Sequence, residues 1–460
     1  MAHLMISAAH KSSGKTTVSI GLCAVFRRRG LLVQPFKKGP DYIDPLWLGQ
    51  AAGRPCYNLD FHTMGREEIR RSFAHRMADA ELGLIEGNKG LYDGLDLDGS
   101  NSNAALAVLL NAPVILVLDT RGMTRGVAPL ILGYQAFERR IRIAGVILNS
   151  VGGPRHESKL RRVIEHYTDV RVVGAVPRNE RMHIEERHLG LMPSNEAEAA
   201  QRHIDRIADH VGAHVDLDRI LEIAASAPPM APPPAPLPAE PVARVRIAIA
   251  RDAAFGFYYP DDLEAFRAAG AELVPFDTLE DERMPEADGL FIGGGFPETC
   301  MERLEANESM RRSIREFIEG GGAAYAECGG LMYLCRSIGW RGKRCEMVGV
   351  LPAEVQMHQK PQGRGYVRLC ETDQHPWGGE DPRVIHAHEF HYSGLDSLDP
   401  GLAFAYRVER GYGVDGRHDG LVYRNLLANY THMRNVGENR WVRRFVAHVA
   451  RVRTERSGSR

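Results

Sequence analysis

Near the middle of the chain stand Pro228, Pro229, Pro232, Pro233, Pro234, Pro236, Pro238 and Pro241, and no other feature limits the fold as strongly. Each proline lacks the amide proton that a helix or a sheet ladder needs, and consecutive prolines hold the backbone extended. The stretch 225–243 therefore reads as a semi-rigid Pro/Ala-rich linker, leaving folding units at 1–224 and 244–460. Each is long enough to bury a sizeable core. Charged residues at 25% and apolar ones at 44% suit globular domains and argue against a disordered chain.

The same numbers exclude some partners. A net charge of -1 provides no basic footprint for nucleic acid. No apolar run approaches the ~20 residues of a membrane span, so neither nucleic acid nor membrane is an expected partner. The first residues lack the charged-then-apolar pattern of a secretory signal and run straight into a motif, so no cleaved leader is expected. Seven cysteines without CxxC pairs speak against a disulfide scaffold or zinc ribbon and point to a reducing cytoplasm. The basic tail 451–460 reads as a solvated end.

Short apolar runs at 4–7, 32–36, 82–86, 114–119, 144–149 and 172–176 alternate with amphipathic stretches at 16–28, 103–110, 128–139 and 157–167. Such alternation predicts a parallel sheet with helices on both faces. After the prolines the pattern restarts with strands at 245–250, 272–275, 289–292 and 323–326 and helices at 261–268 and 310–318. Beyond about 340 short strands dominate (365–369, 384–388, 420–423), and a helix at 440–452 closes the chain. Two α/β domains are expected.

Ser12-Ser13-Gly14-Lys15-Thr16-Thr17 follows the first expected strand and opens the first expected helix. This is the setting of a phosphate-binding loop: backbone N–H groups and the helix N-terminus cradle phosphate oxygens, Lys15 neutralises charge, and the Thr16 hydroxyl ligates Mg²⁺. The loop departs from the usual spacing by carrying Ala9 where a glycine is standard, and an ordinary N-capped helix is the plainer alternative. Carboxylates just beyond strand ends lie where α/β folds hold ligands. Glu86 leads as a Mg²⁺ ligand, followed by Asp41 and Asp44. Asp44 and Asp93 also suit plain turn chemistry, since Asp-Pro and Asp-Gly are turn formers, and Asp96 and Asp98 read as loop solvation. Lys37 or Lys38 is a second cation for phosphoryl transfer or a surface lysine. Asn149, at a strand end, is either an adenine reader or a strand cap.

Glu327-Cys328-Gly329-Gly330 reads as strand, sharp turn, then helix. Glycines after Cys328 permit the strained elbow that exposes a nucleophile, and a helix N-terminus would favour thiolate. A buried structural cysteine is the alternative. A second loop, Gly293-Gly294-Gly295, follows another expected strand, and its N–H groups could converge on an oxyanion. The base that a thiol needs is His432, with His386, His388 and His391 competing. That histidine run also raises a metal site, which its spacing does not favour.

Together these motifs resemble the cobyrinate a,c-diamide synthase family of glutamine-dependent amidotransferases, nearly end to end (3–212 and 245–450). The matches are Lys38-Gly39-Pro40-Asp41-Tyr42-Ile43-Asp44-Pro45, Glu86-Gly87 with Gly90-Leu91-Tyr92-Asp93-Gly94, and Glu186-Arg187-His188-Leu189-Gly190-Leu191. They continue through Ala253-Ala254-Phe255, Phe257-Tyr258-Tyr259-Pro260, Gly293-Gly294-Gly295-Phe296-Pro297-Glu298 and Glu327-Cys328-Gly329-Gly330. His388-Glu389-Phe390-His391-Tyr392-Ser393 and Asn429-Tyr430-Thr431-His432 end the series.

The resemblance implies a dethiobiotin-synthetase-like P-loop domain joined to a class I glutamine amidotransferase-like α/β domain. It implies ATP and Mg²⁺ as cofactors, L-glutamine and a tetrapyrrole as substrates, and a homodimer. Cys328 would be the nucleophile and His432 its activator, with no third acidic partner, since this family is known for lacking one. ATP would phosphorylate an acetate side chain, and ammonia released at Cys328 would displace the phosphate. Relatives amidate cobyrinate, hydrogenobyrinate, Ni-sirohydrochlorin or sirohaem. The loop Ser7-Ala8-Ala9-His10-Lys11-Ser12-Ser13-Gly14, Asn88-Lys89 and the polar stretch 96–103 differ from usual cobalamin versions and look closer to the sirohaem amidases. Other classes to weigh are a dethiobiotin-synthetase-like ATPase with an inactive glutaminase module and a partitioning-type ATPase.

Overall fold

The computed structural model of the chain describes residues 1–179, 182, 194–230, 240–378, 383–399 and 401–458. They fall into two compact units, one before and one after the prolines. The centre of the proline stretch, 231–239, and the motif at 186–191 lie outside the described residues.

The first unit is built on seven parallel strands: β1 (Ala2–Ala8), β2 (Val33–Lys38), β3 (Tyr57–Leu59), β4 (Leu82–Glu86), β5 (Val114–Asp119), β6 (Ile143–Val151) and β7 (Val172–Pro177). Their order is β3-β2-β4-β1-β5-β6-β7. Every residue of β1 after Ala2 is buried, as a central strand covered on both faces requires. Edge strand β3 has three residues, too few for alternation to show in the sequence. Parallel pairing sends the C-terminal ends of β1, β2 and β4 to one edge, and register sets neighbours there: Lys37 of β2 pairs with Glu86 of β4, which pairs with Ile6 of β1.

In the second unit a nine-stranded sheet begins with parallel strands Ala271–Phe276, Val245–Ala250, Gly289–Ile292, Ala323–Glu327 and Leu426–Asn429. It continues antiparallel through His418–Tyr423, Ala403–Arg410, Gly363–Glu371 and Val384–His391. A four-stranded sheet of Ser337–Trp340, Lys343–Glu346, Glu354–Met357 and Ser393–Asp396 lies apart from it. The parallel half again gathers strand ends at one edge, and Cys328 follows one of them directly.

Against the sheet packs the closing helix Trp441–Gly458. The helix runs on to Gly458, beyond the 452 expected, and the reading of 451–458 as solvated holds for most of it: Val452 alone is buried, while exposed Arg453 donates to the Arg244 carbonyl at 2.9 Å and to Asp288 at 3.2 Å. The helix starts at Trp441, whose ring meets Tyr325 at 4.8 Å, Phe266 at 5.5 Å and Phe291 at 5.7 Å between centroids. Trp441→Ala should leave a cavity there and cost about 3–5 kcal/mol in urea unfolding. A loss below about 1 kcal/mol would mean that this aromatic cluster is not a central support of the unit.

Candidate functional site

In the first unit the backbone turns sharply between β1 and the helix Lys15–Arg28, with positive φ at Ser12 (64°) and Gly14 (88°). A Cβ on Gly14 would lie 2.0 Å from Asn149 Nδ2, so only glycine fits. Asn149 Nδ2 donates to the Ser13 carbonyl at 2.9 Å. That bond braces the loop from the end of β6, the strand-end role that stood beside base reading for this residue. Ser13 Oγ donates to the His10 carbonyl at 2.8 Å, tightening the same turn. Lys15 is buried at the helix start, and burial, followed by the charge of Lys37, pulls its pKa down. Thr17 sits half-buried in the same helical turn.

Around Lys37 the carboxylates converge. Its ammonium bonds Asp44 and reaches Glu86 Oε1 at 2.9 Å and Asp41 Oδ2 at 3.8 Å. Thr16 Oγ1 donates to Glu86 Oε1 at 2.6 Å, with Asp44 Oδ2 3.4 Å away. Burial opposes the charge of Lys37, yet Asp44, Glu86 and Asp41 outweigh it and hold its pKa well above the ordinary value. Burial also opposes the charge of Asp44, and Lys37 overrides it, leaving that carboxyl below the usual range. Glu86 is pushed up by burial in spite of Lys37. Asp41 Oδ1 accepts from the Ile43 and Asp44 amides at 2.8 and 3.1 Å, so this side chain also starts the helix Ile43–Ala52. Lys38, next along β2, is buried, and its pKa falls to about 8 by desolvation.

The structure does not bring Asp93 into this cluster. Its Oδ2 accepts from the Gly90 amide at 2.9 Å and closes the turn, which is the turn chemistry of Asp-Gly. For Mg²⁺ the test is whether hard oxygens remain available. Glu86 Oε2 is buried without a hydrogen-bond partner, beside the Thr16 hydroxyl, and this donor set fits a cation that takes one or two carboxylates together with phosphate oxygens.

In the second unit Cys328 has φ 47° and ψ -102° between the strand Ala323–Glu327 and the short helix Gly329–Leu334. That left-handed backbone strains any residue with a Cβ. It is pinned by Cys328 N donating to the Asn429 carbonyl at 2.7 Å. Glycines on both sides allow the fit: a Cβ on Gly330 would lie 2.2 Å from the Ile292 carbonyl, and one on Gly329 2.9 Å from Gly295 N. Gly294 and Gly295 pair with Phe257 and Phe255, and a Cβ on Gly294 would lie 2.4 Å from His432 Cε1. The Gly293 amide is taken by the Tyr258 hydroxyl at 2.9 Å. Burial, then the Glu298 carboxylate, pushes the Cys328 pKa up, and the Gly329 backbone amide works against them.

Of the four competing histidines, His432 is the one against the glycine loop and the elbow. His388 pairs its backbone with that of His432 and sets its ring against Tyr366 at 6.2 Å, His391 stacks on Tyr430 at 4.0 Å, and His386 is exposed. Among the described residues no group of three His, Cys, Asp or Glu is arranged to hold a metal ion.

Residues 4–191 match the CobQ/CobB/MinD/ParA nucleotide binding domain family, and residues 246–439 match the CobB/CobQ-like glutamine amidotransferase domain family. A cobyrinate a,c-diamide synthase of Magnetococcus marinus is 48% identical over 444 residues, 95% of this chain and 95% of its own. Those of Archaeoglobus fulgidus and Picrophilus torridus are 41% and 42% identical, covering 96% of this chain and 96% and 98% of theirs. The chain belongs to the cobyrinate a,c-diamide synthase family. It is therefore an amidating ligase with a nucleotide-binding domain and a glutamine amidotransferase domain of α/β architecture. No helix among the described residues is long and apolar enough to cross a membrane.

Sequence reading left two supports of this family's glutaminase site unassigned. Buried Asp419 takes the Tyr430 and Thr431 amides at 2.9 and 3.0 Å and so shapes the loop that carries His432. Tyr258, quoted above only as part of a motif, ties down Gly293. Neither bond has a sequence signal, because each joins residues far apart in the chain.

Two predictions follow from these geometries. Gly294→Ala should drive its methyl group into the His432 ring and lower glutamine-supported relative to ammonia-supported turnover by about 10²-fold. An unchanged ratio would remove Gly294 from the site. Lys37→Met should leave buried Glu86 and half-buried Asp44 without their cation and cost about 3 kcal/mol near pH 8. In that variant the folded-state carboxyl pKa values lie above the unfolded ones, so the deficit should shrink as pH falls and the groups protonate. Urea midpoints of wild type and variant between pH 5 and 8 test the sign.

Proposed function

We propose that this enzyme uses glutamine and ATP to amidate the a and c acetate side chains of cobyrinate. The observation that carries the reading is one chain, alike over 95% of its length to a cobyrinate a,c-diamide synthase, holding a strained Cys328 elbow beside His432 and a Lys15–Thr16 loop beside Glu86.

At the elbow Cys328 Sγ attacks the carboxamide carbon of glutamine. His432 takes the thiol proton and returns it to the leaving ammonia. Burial pushes the thiol pKa up, so a base that takes its proton is needed. The Gly294–Gly295 segment lines the oxyanion side, and water then cleaves the thioester to glutamate. In the first unit the loop Ser12, Ser13 and Gly14 wraps ATP phosphates, and Lys15 and Lys37 offset charge on the transferring phosphoryl group. Thr16 and Glu86, with Asp41 and Asp44 near, would hold Mg²⁺, which supplies further charge neutralisation when bound. The acetate carboxylate takes the terminal phosphoryl group as its bond to ADP breaks and ADP leaves, ammonia attacks the acyl carbon, and phosphate leaves with the C–N bond made. Activation is necessary because a bare carboxylate is a poor electrophile. A partitioning-type ATPase would have no use for the elbow.

Product mass tests this reading. With ATP, Mg²⁺, glutamine and cobyrinate, two successive exchanges of hydroxyl for amino are expected. Cys328→Ala should lose them with glutamine and regain them with ammonia. Amidation of sirohaem in place of cobyrinate would replace the substrate, and glutamine hydrolysis without any tetrapyrrole amide would overturn the proposal.

A further inference from the structure

An acid stands against the imidazole in a family expected to have none. Glu327, the residue before the nucleophile, is buried with Oε2 3.5 Å from His432 Nδ1. That is an ion-pair separation, longer than a formed hydrogen bond, and catalytic contacts often lie this long before substrate binds. The other oxygen is fully engaged: Oε1 accepts from the Tyr325 hydroxyl at 2.6 Å and from the Met433 amide at 2.8 Å. Asn429 Nδ2 in turn donates to the Tyr325 hydroxyl at 2.9 Å. Tyr325 and Glu327 are two residues apart on one strand and share a face, so the aromatic cluster around Trp441 anchors the carboxylate. The Met433 bond also joins the carboxylate to the residue next to His432, which leaves Oε2 little freedom except to face the ring.

Resting on the assignment of His432 as base, we propose that Glu327 is its positioning residue. An ionised carboxylate at Nδ1 fixes the proton on that nitrogen, leaves Nε2 as the acceptor for the Cys328 proton, and stabilises the imidazolium that forms. Among the described residues, the other carboxylates near the pair are engaged elsewhere. Asp419 spends its oxygens on the Gly420, Tyr430 and Thr431 amides. Asp262 takes the Asn435 amide, with Asp261 and Arg434 beside it. Glu298 acts on the thiol side, and His388 meets His432 through backbone.

The test compares Glu327→Gln, Glu327→Asp and His432→Asn with wild type, measuring glutamine hydrolysis against pH alongside ammonia-supported amidation. Glutamine keeps the acceptor for Tyr325 and Met433 but offers an amino group to Nδ1. Its kcat for glutamine hydrolysis should fall roughly 10²–10⁴-fold while KM changes little. Removing a negative charge lowers the pKa of a nearby imidazole, so the acidic limb of kcat/KM should move down by roughly 1–3 units. Glu327→Asp should return the limb toward the wild-type position. Wild-type kcat and an unmoved limb in Glu327→Gln, with His432→Asn inactive, would overturn this inference alone. An active His432→Asn would overturn the base assignment beneath it. Should Glu327→Gln not fold, ¹⁵N-histidine NMR of the wild-type enzyme decides: a proton on His432 Nδ1 supports the proposal, and one on Nε2 overturns it.

Discussion

The backbone of Cys328 in the left-handed region is the constraint around which the second unit is arranged. A cysteine does not adopt φ 47° unaided, and the conformation persists because the Asn429 carbonyl holds its amide from the adjoining strand. Such a bend is possible only where neighbouring backbones approach more closely than any side chain permits. That accounts for glycine at 294, 295, 329 and 330: each added Cβ would run into a backbone atom or into the His432 ring. The elbow, the glycine loop and His432 are thus one packing problem with one solution.

The first unit meets the opposite difficulty, which is charge. Three carboxylates and two lysines at one strand edge would be untenable if buried separately, because each ion stripped of water costs several kcal/mol. Register solves it by placing Lys37 beside Glu86 in the ladder, with Asp44 and Asp41 closing over the ammonium from the next helix. The outcome is a preset field: the pKa of Asp44 is lowered, that of Glu86 raised, and that of Lys15 lowered at the loop that would meet phosphate. Both units use the C-terminal edge of a parallel sheet, one for a strained backbone and the other for balanced charge.

Much of this could be read before any coordinates. The alternation of apolar runs located β4, β5 and the strand Gly289–Ile292 to the residue, since strands buried on both faces have no polar interruptions. The phosphate loop, Glu86, Cys328 and the glycine triplet were found because their chemistry needs particular residues at short spacing. The three-residue β3 escaped notice, and so did the helical character of 453–458, where arginines mask the last turns of the closing helix.

Local chemistry is thus written in the chain: which loop can cradle phosphate, which turn can strain a cysteine, where a helix must stop for proline. Such properties depend on a few consecutive residues and their backbone preferences. Pairing over distance is not written there. That Lys37 meets Glu86, that Asn149 braces Ser13, that Asp93 closes its own turn, and that Glu327 faces His432 all follow from sheet order and register. Those are set by burial of the whole core, and no stretch of neighbouring residues encodes them.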